Sequence, residues 1–114
     1  DMPRPAVVVT AMMRDKDVAG VLRTLLPAVD AVVCTQASEA RSLSAEELAA
    51  AVRATIRGGP GAGSAPRVAV EVVAEPGRAV VAARELAGAG GAVLVTGSLY
   101  LLEDLAALLG GEAT

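Results

Sequence analysis

Apolar and polar positions along the chain repeat one pattern four times. A short, mostly β-branched run is followed each time by a stretch with apolar residues three and four positions apart. The short runs predict strands, the first of them buried, and the longer stretches predict helices with one apolar face. The predicted strands span residues 6–10, 30–35, about 67–73 and 92–96, and each precedes a predicted helix.

Capping residues indicate where the first two helices begin. Asp15 or Asp17 can cap the first, which ends near Pro27. Ser44 and Glu47 have capping-box spacing and start the second, which runs to the glycines at 58 and 59. A third helix covers about 77–88, and a last one carries leucines between 101 and 109.

One side of each of the first three helices is predicted to face the core. The residues assigned to those sides are Val18, Val21, Leu22, Leu25 and Leu26 in the first helix, Leu48, Val52 and Ile56 in the second, and Val80, Val81, Ala83 and Leu86 in the third.

Alternating strands and helices predict an α/β fold, a three-layer Rossmann-like domain with a mostly parallel sheet and helices on both faces. Residues 1–114 form one such domain, and the glycine-rich stretch 58–66 is predicted to be a surface loop. Ligands of these sheets bind beyond the carboxyl ends of the strands. A site is therefore expected among residues 10–17, 35–41, 74–77 and 96–100.

Composition narrows the class of protein. The hydrophobic fraction is 54%, with Tyr100 as the single aromatic residue, so aliphatic side chains must fill the core. The net charge is −3 without a Lys/Arg cluster, which argues against nucleic acid as a partner. No apolar stretch approaches the length of a membrane span, and no signal peptide is expected, because the first residues lack its basic flank and apolar run. Cys34 lies in an apolar run, as expected of a buried thiol in a cytoplasmic protein.

Two strand-to-helix turns contain candidate anion-binding residues. After Thr96, Gly97 permits a tight turn, and the backbone N–H groups of the next helix lie beside the Ser98 hydroxyl, which favours a carboxylate or phosphate. Ser98 can equally be a simple N-cap. Lys16, between two aspartates, can reach a phosphate or belong to a solvated cap with ion pairs. Arg41, in the loop after the second strand, is a further candidate, which can hold an anion bidentately or simply be solvated.

Catalysis by this chain alone is not expected. The sequence has no histidine, no metal-ligand cluster and no phosphate-binding loop of the Gly-x-x-x-x-Gly-Lys-[Ser/Thr] type, so neither catalytic nor metal-binding residues are assigned.

Three segments together resemble the carboxyl-terminal domain of folylpolyglutamate synthase/dihydrofolate synthase, in the Mur-ligase superfamily. They are the run from Val7 through Asp15-Lys16-Asp17 to Leu22, the run from Ala40-Arg41 to Leu48, and Val93 to Leu101, which contains Thr96-Gly97-Ser98-Leu99-Tyr100. The likeness covers nearly the whole chain, and the last segment is the most specific.

The resemblance implies the activity of a longer parent enzyme. Such ligases use ATP and Mg²⁺ to join glutamate to a folate or dihydropteroate carboxylate, and an amino-terminal ATPase domain holds the phosphate loop and metal. The family's Asp-Gly-Ala-His-Asn-Pro segment is expected upstream of residue 1, so the chain is interpreted as an inactive fragment. The alternative is a free-standing small-molecule or partner-binding module, because fold alone does not fix function.

The resemblance also implies roles for particular residues. Thr96, Gly97, Ser98, Tyr100 and Arg41 are expected to contact substrate, with Ser98 and the backbone at Gly97 as the best candidates for glutamate. Lys16, framed by Asp15 and Asp17, is expected near the nucleotide phosphates.

Overall fold

The computed structural model describes residues 3–58 and 68–96. Its strands are β1 (Ala6–Thr10), β2 (Ala31–Cys34), β3 (Ala69–Val72) and β4 (Ala92–Thr96). Its helices are α1 (Val18–Leu25), α2 (Ala45–Gly58) and α3 (Pro76–Ala87), and a short 3₁₀ turn (Leu26–Ala28) follows α1. The predicted last helix lies outside the described residues.

The four strands form one parallel sheet in the order β3-β2-β1-β4. In β1, Val8 is in register with Val32 of β2 and with Leu94 of β4. The two central strands, β1 and β2, are buried along their whole length, which explains why both consist of small and β-branched apolar residues.

Helices cover both faces of the sheet, as the strand–helix alternation predicted. Side chains from α1 and α2, including Leu22, Leu48 and Val52, pack with Val8 and Val32 on one face. On the other face α3 packs against alternate residues of the same strands, and this cluster is Val7, Val9, Ala31, Val33, Ala79, Ala83 and Ala87. The fold is therefore a three-layer α/β domain.

The predicted core side of α3 was partly wrong. Ala83 is buried and Val80 is partly buried, but Val81 is 56% exposed and Leu86 is 39% exposed. The buried side is instead a stripe of alanines four residues apart, Ala79, Ala83 and Ala87. In α1 the prediction likewise fails for Val21, which is 43% exposed.

Polar side chains fix the start of every described helix. Asp17 caps α1 by accepting from the N–H of Gly20 at 3.1 Å, which selects Asp17 over Asp15 as the cap. Ser44 and Glu47 form the predicted capping box, because each side chain accepts a hydrogen bond from the other residue's N–H, at 3.0 and 2.9 Å. Glu75 caps α3, a role that the sequence analysis did not assign.

Two buried threonines differ in their hydrogen bonding. Thr10 and Thr35 are both fully buried, at the end of β1 and just after β2. The Thr35 hydroxyl donates to the carbonyl of Ala74 at 2.9 Å, whereas the Thr10 hydroxyl has no hydrogen-bond partner among the described residues.

Burial raises the pKa of the neighbouring Cys34 thiol to about 11. Within the described ranges, none of the helices has the length and apolarity needed to cross a membrane.

Candidate functional site

The carboxyl ends of all four strands lie at one edge of the sheet, because every pairing is parallel. From β1 the chain proceeds through β2 to β3 on one side, and it then returns to place β4 on the other side of β1. The strand order therefore reverses between β1 and β4, and ligands of such sheets bind at that reversal. Thr10 and Thr96 are register partners there.

The loop after β1 carries Lys16 on a tight turn. The N–H of Lys16 donates to the carbonyl of Met13 at 3.2 Å, and the carbonyl of Lys16 accepts from Val18 at 2.9 Å. The carboxylate of Asp17 is engaged by its capping bond to α1. Lys16 is exposed and forms no ion pair with any described residue. Its ammonium group is therefore not engaged by a carboxylate in the described part of the chain.

The loop after β2 is held in shape by its own side chains. The buried hydroxyl of Ser42 accepts from the N–H of Ala37 at 3.1 Å and donates to the carbonyl of Leu43 at 3.0 Å. The side-chain oxygen of Gln36 accepts from the N–H of Ala45 at 3.0 Å. Arg41 is thus presented from a loop with a defined conformation.

The structure brings the predicted residues of these two loops together. The guanidinium of Arg41 lies 3.4 Å from a carboxylate oxygen of Asp15 and 3.4 Å from one of Glu39. The carbonyl of Arg41 accepts from the N–H of Arg14 at 2.8 Å. Asp15, Lys16, Asp17 and Arg41, which sequence reasoning placed at one edge, are accordingly neighbours in space.

A bidentate ion pair also joins the loop after β1 to the first turn of α2. The two terminal nitrogens of Arg14 donate to the two carboxylate oxygens of Glu47 at 2.9 and 2.8 Å. These hydrogen bonds, followed by the bond from the N–H of Ser44, hold the pKa of Glu47 at about 2, and the same pairing raises the pKa of Arg14. Sequence patterns predicted only a capping role for Glu47. They contain no signal for its pairing with Arg14, because the two residues are 33 positions apart.

The segment after β3 begins a helix. The carboxylate of Glu75 accepts from the N–H groups of Arg78 at 2.8 Å and Gly77 at 3.0 Å, and these backbone bonds lower its pKa. The free N–H groups at the start of α3 are therefore already satisfied in part by the protein itself.

Thr96 ends β4 and is half-buried. The other residues predicted from that segment, Gly97, Ser98 and Tyr100, lie outside the described residues, and their roles remain predictions. Within residues 3–58 and 68–96, no three Cys, Asp or Glu side chains are grouped in a way that could hold a metal ion.

Comparison with known proteins gives a family match. The family model described as "Mur ligase, glutamate ligase domain" matches residues 1–99. None of the curated proteins matches the sequence significantly.

Several solved structures resemble the chain. Folylpolyglutamate synthase of Mycobacterium tuberculosis, complexed with ADP and AMPPCP, is 30% identical with a TM-score of 0.76, over 96% of this chain and 24% of that one. The bifunctional folylpolyglutamate synthase/dihydrofolate synthase of Yersinia pestis, complexed with AMPPNP and Mn ion, is 26% identical with a TM-score of 0.73. That match covers 92% of this chain and 22% of the Y. pestis chain. E. coli FolC, in complex with ADP without folate substrate, shares the fold at 23% identity and a TM-score of 0.77. That match covers 99% of this chain and 24% of the FolC chain. The chain thus spans about a quarter of the length of the solved proteins it matches.

Proposed function

Because the chain belongs to the Mur ligase glutamate ligase domain family, as its resemblance to folylpolyglutamate synthase predicted, we propose that it is the substrate-holding carboxyl-terminal domain of an ATP-dependent folylpolyglutamate or dihydrofolate synthase. Such an enzyme ligates glutamate to a folate or pteroate carboxylate. In this proposal the domain forms one wall of a cleft for glutamate and nucleotide. The phosphate loop and Mg²⁺ belong to another domain of a cytoplasmic parent protein.

The observation that carries the proposal is the meeting of two cation-bearing loops, those after β1 and β2, at the carboxyl edge of the sheet. Lys16 has no ion-pair partner among the described residues, and Arg41 lies beside the same turn. Lys16 at the carboxyl edge of a parallel sheet suits a ligand with phosphate or carboxylate groups, and Arg41, which is paired with Asp15 and Glu39, lies beside it. This chemistry matches both a nucleotide and glutamate.

Comparisons support the nucleotide half of the proposal. The M. tuberculosis and Y. pestis proteins were crystallised with ADP, AMPPCP or AMPPNP. We assign the nucleotide phosphates to Lys16, with Asp15 and Asp17 shaping its turn. The capping bond of Asp17 supports a shaping role, because its carboxylate is occupied by the backbone of α1.

The glutamate half of the proposal depends on the segment that follows Thr96. The helix that the sequence predicts after Gly97 would offer backbone N–H groups and the Ser98 hydroxyl to a carboxylate. Thr96 precedes that segment at the strand reversal, and Arg41 and Tyr100 are proposed to line the same cleft. The family description, a glutamate ligase domain, supports this substrate.

The decisive experiment uses the complete gene product that contains this sequence. We expect glutamate- and folate-dependent release of phosphate from ATP, with none from the 114-residue chain alone. In that protein, Ser98→Ala should raise the KM for glutamate while the KM for ATP stays within two-fold, roughly, of wild type. A gene product with no ligase activity on folate or pteroate would leave the free-standing binding module as the better description.

A second experiment tests the nucleotide contact directly. ADP is titrated into the isotopically labelled 114-residue chain, and amide shifts are followed by NMR. Lys16→Gln should weaken ADP binding about ten-fold, since it removes one charge-assisted phosphate contact. Arg23→Gln is the matched control, because it removes one exposed positive charge from the last turn of α1. Equal affinity in the two variants would remove Lys16 from the site.

A further inference from the structure

Hydrogen bonds tie the loop after β1 both to the loop after β2 and to the first turn of α2. The guanidinium of Arg14 forms two nearly equal bonds to Glu47, at 2.8 and 2.9 Å. The N–H of Arg14 donates to the carbonyl of Arg41 at 2.8 Å, and the N–H of Leu43 donates to the carbonyl of Met12 at 2.9 Å. The side-chain pair with α2 therefore reinforces two backbone bonds between the loops after β1 and β2.

Glu47 is an unusually well-fixed partner for an exposed arginine. One of its carboxylate oxygens also accepts from the N–H of Ser44 at 2.9 Å, and its own N–H donates to the Ser44 hydroxyl at 3.0 Å. Exposed ion pairs are generally weak because two long side chains must both be ordered. The capping box has already ordered Glu47, so pairing with Arg14 loses less conformational entropy.

Arg14 also occupies the position next to the predicted phosphate-contacting turn. Asp15 follows it directly, and Lys16 lies one residue further. Since the guanidinium of Arg14 is engaged by Glu47, Arg14 is not available as an anion ligand itself. Its side chain instead fixes where the turn begins relative to α2 and Arg41.

We propose that Arg14 is a positioning residue: its bidentate pair with Glu47 holds the Asp15–Asp17 turn beside Arg41, so that Lys16 and Arg41 are presented together. The consequence for ligand binding rests on the proposed function, whereas the mechanical coupling of the two loops does not. Groups held in place before a ligand arrives bind it more tightly, because less order must be imposed on binding.

The first experiment measures the coupling without a ligand. Amide hydrogen exchange of Leu43 and Arg14 is compared in wild type, Glu47→Gln and Glu46→Gln. Gln at position 47 can still accept the bond from Ser44, but it loses its charge. Glu46 is the matched control, because it lies in the same first turn of α2 and forms no ion pair with a described residue.

We expect the Leu43 and Arg14 amides to exchange about two- to five-fold faster in Glu47→Gln than in wild type. Exchange in Glu46→Gln should match wild type. Arg14→Gln should reproduce the effect of Glu47→Gln, and Arg14→Lys should reverse part of it by restoring the charge without the bidentate geometry. Unchanged exchange in both Glu47→Gln and Arg14→Gln would overturn the proposal.

The second experiment tests whether the pair between Arg14 and Glu47 affects ligand binding. ADP affinity is measured for wild type, Arg14→Gln and Arg14→Lys, with a thermal melt of each variant as the check on folding. Arg14→Gln should weaken ADP binding about two- to five-fold at an unchanged melting temperature, and Arg14→Lys should recover part of the loss. Equal affinity of wild type and Arg14→Gln, despite faster exchange, would also overturn the positioning role. If wild type binds no ADP, the assignment of the nucleotide phosphates to Lys16 fails, and the exchange comparison still decides whether Arg14 holds the turn.

Discussion

Thr10 offers a substitution whose effect should run opposite to that of most core changes. Its side chain is completely buried, and its hydroxyl has no hydrogen-bond partner among the described residues. Valine has nearly the same shape but no polar atom. Thr10→Val therefore removes a hydroxyl that no described residue satisfies, and it should leave the surrounding packing unchanged.

The expected magnitude follows from that burial. A buried polar group without a partner costs about 1–3 kcal/mol. Because valine refills the space of threonine, no cavity penalty offsets the gain, and Thr10→Val should raise the free energy of unfolding by about 1–2 kcal/mol. For a domain of this size each kcal/mol corresponds to a rise in Tm of about 4–8 °C.

The assay is urea denaturation followed by circular dichroism, with Thr35→Val as the matched control. Thr35 is equally buried, but its hydroxyl donates to the carbonyl of Ala74 at 2.9 Å. Its replacement should lower the free energy of unfolding by about 1 kcal/mol or more, because a hydrogen bond is lost and a carbonyl loses its partner. If Thr10→Val destabilises the domain as much as Thr35→Val does, the hydroxyl of Thr10 is satisfied and the reasoning is wrong.

Three further predictions concern single sites. Gly91→Ala should lower the free energy of unfolding by more than about 2 kcal/mol in a urea titration, since the added methyl group would meet the backbone carbonyls of Ala87 and Pro5. Gly90→Ala is the control, because a methyl group there would meet no described atom within 4 Å. Equal stabilities of the two variants would contradict the close approach of the backbone to Gly91. Cys34 should resist iodoacetamide at pH 8 in the native state and react in urea, because burial raises its pKa to about 11; rapid native alkylation would show the thiol to be accessible. The pKa of Glu47 is lowered from 4.5 to about 2, so its stabilising contribution is complete above pH 4.5 and is lost as the pH falls toward 2. The free energy of unfolding should therefore depend less on pH over that range in Glu47→Gln than in wild type, and equal slopes would argue against the shift.

Local signals in the sequence predicted much of the fold. The bounds of β1 and β4 match the predicted strands at both ends, and the capping box between Ser44 and Glu47 begins α2 as expected. These features depend on residues close together in the sequence, where propensity and hydrogen-bond spacing decide the outcome. The family resemblance was also confirmed, by a match over residues 1–99.

The error in α3 has a physical cause. Counting large apolar residues favoured Val81 and Leu86 as core positions, but both are exposed to a considerable extent. Three alanines form the buried stripe instead, because a helix with small residues on one side can pack closely on a sheet face already occupied by valines. Size and hydrophobicity alone do not reveal which side of such a helix faces the sheet.

The candidate site was predicted in part. Topology placed the loops of Lys16 and Arg41 at one edge, and the structure brings Asp15 and Arg41 within 3.4 Å. The pair between Arg14 and Glu47 could not be inferred, since it depends on the three-dimensional approach of two loops. Gly97, Ser98 and Tyr100 are outside the described residues, so their assignment still rests on the sequence.

The pairing of β1 with β4 has a consequence for how the domain forms. Ala6 and Ala92 are register partners, so one side of the sheet joins chain segments from opposite ends of the described sequence. During synthesis β1 can pair with β2 early, but its other edge must wait until β4 has left the ribosome. Such distant pairing slows folding and leaves an apolar edge open to aggregation in the meantime.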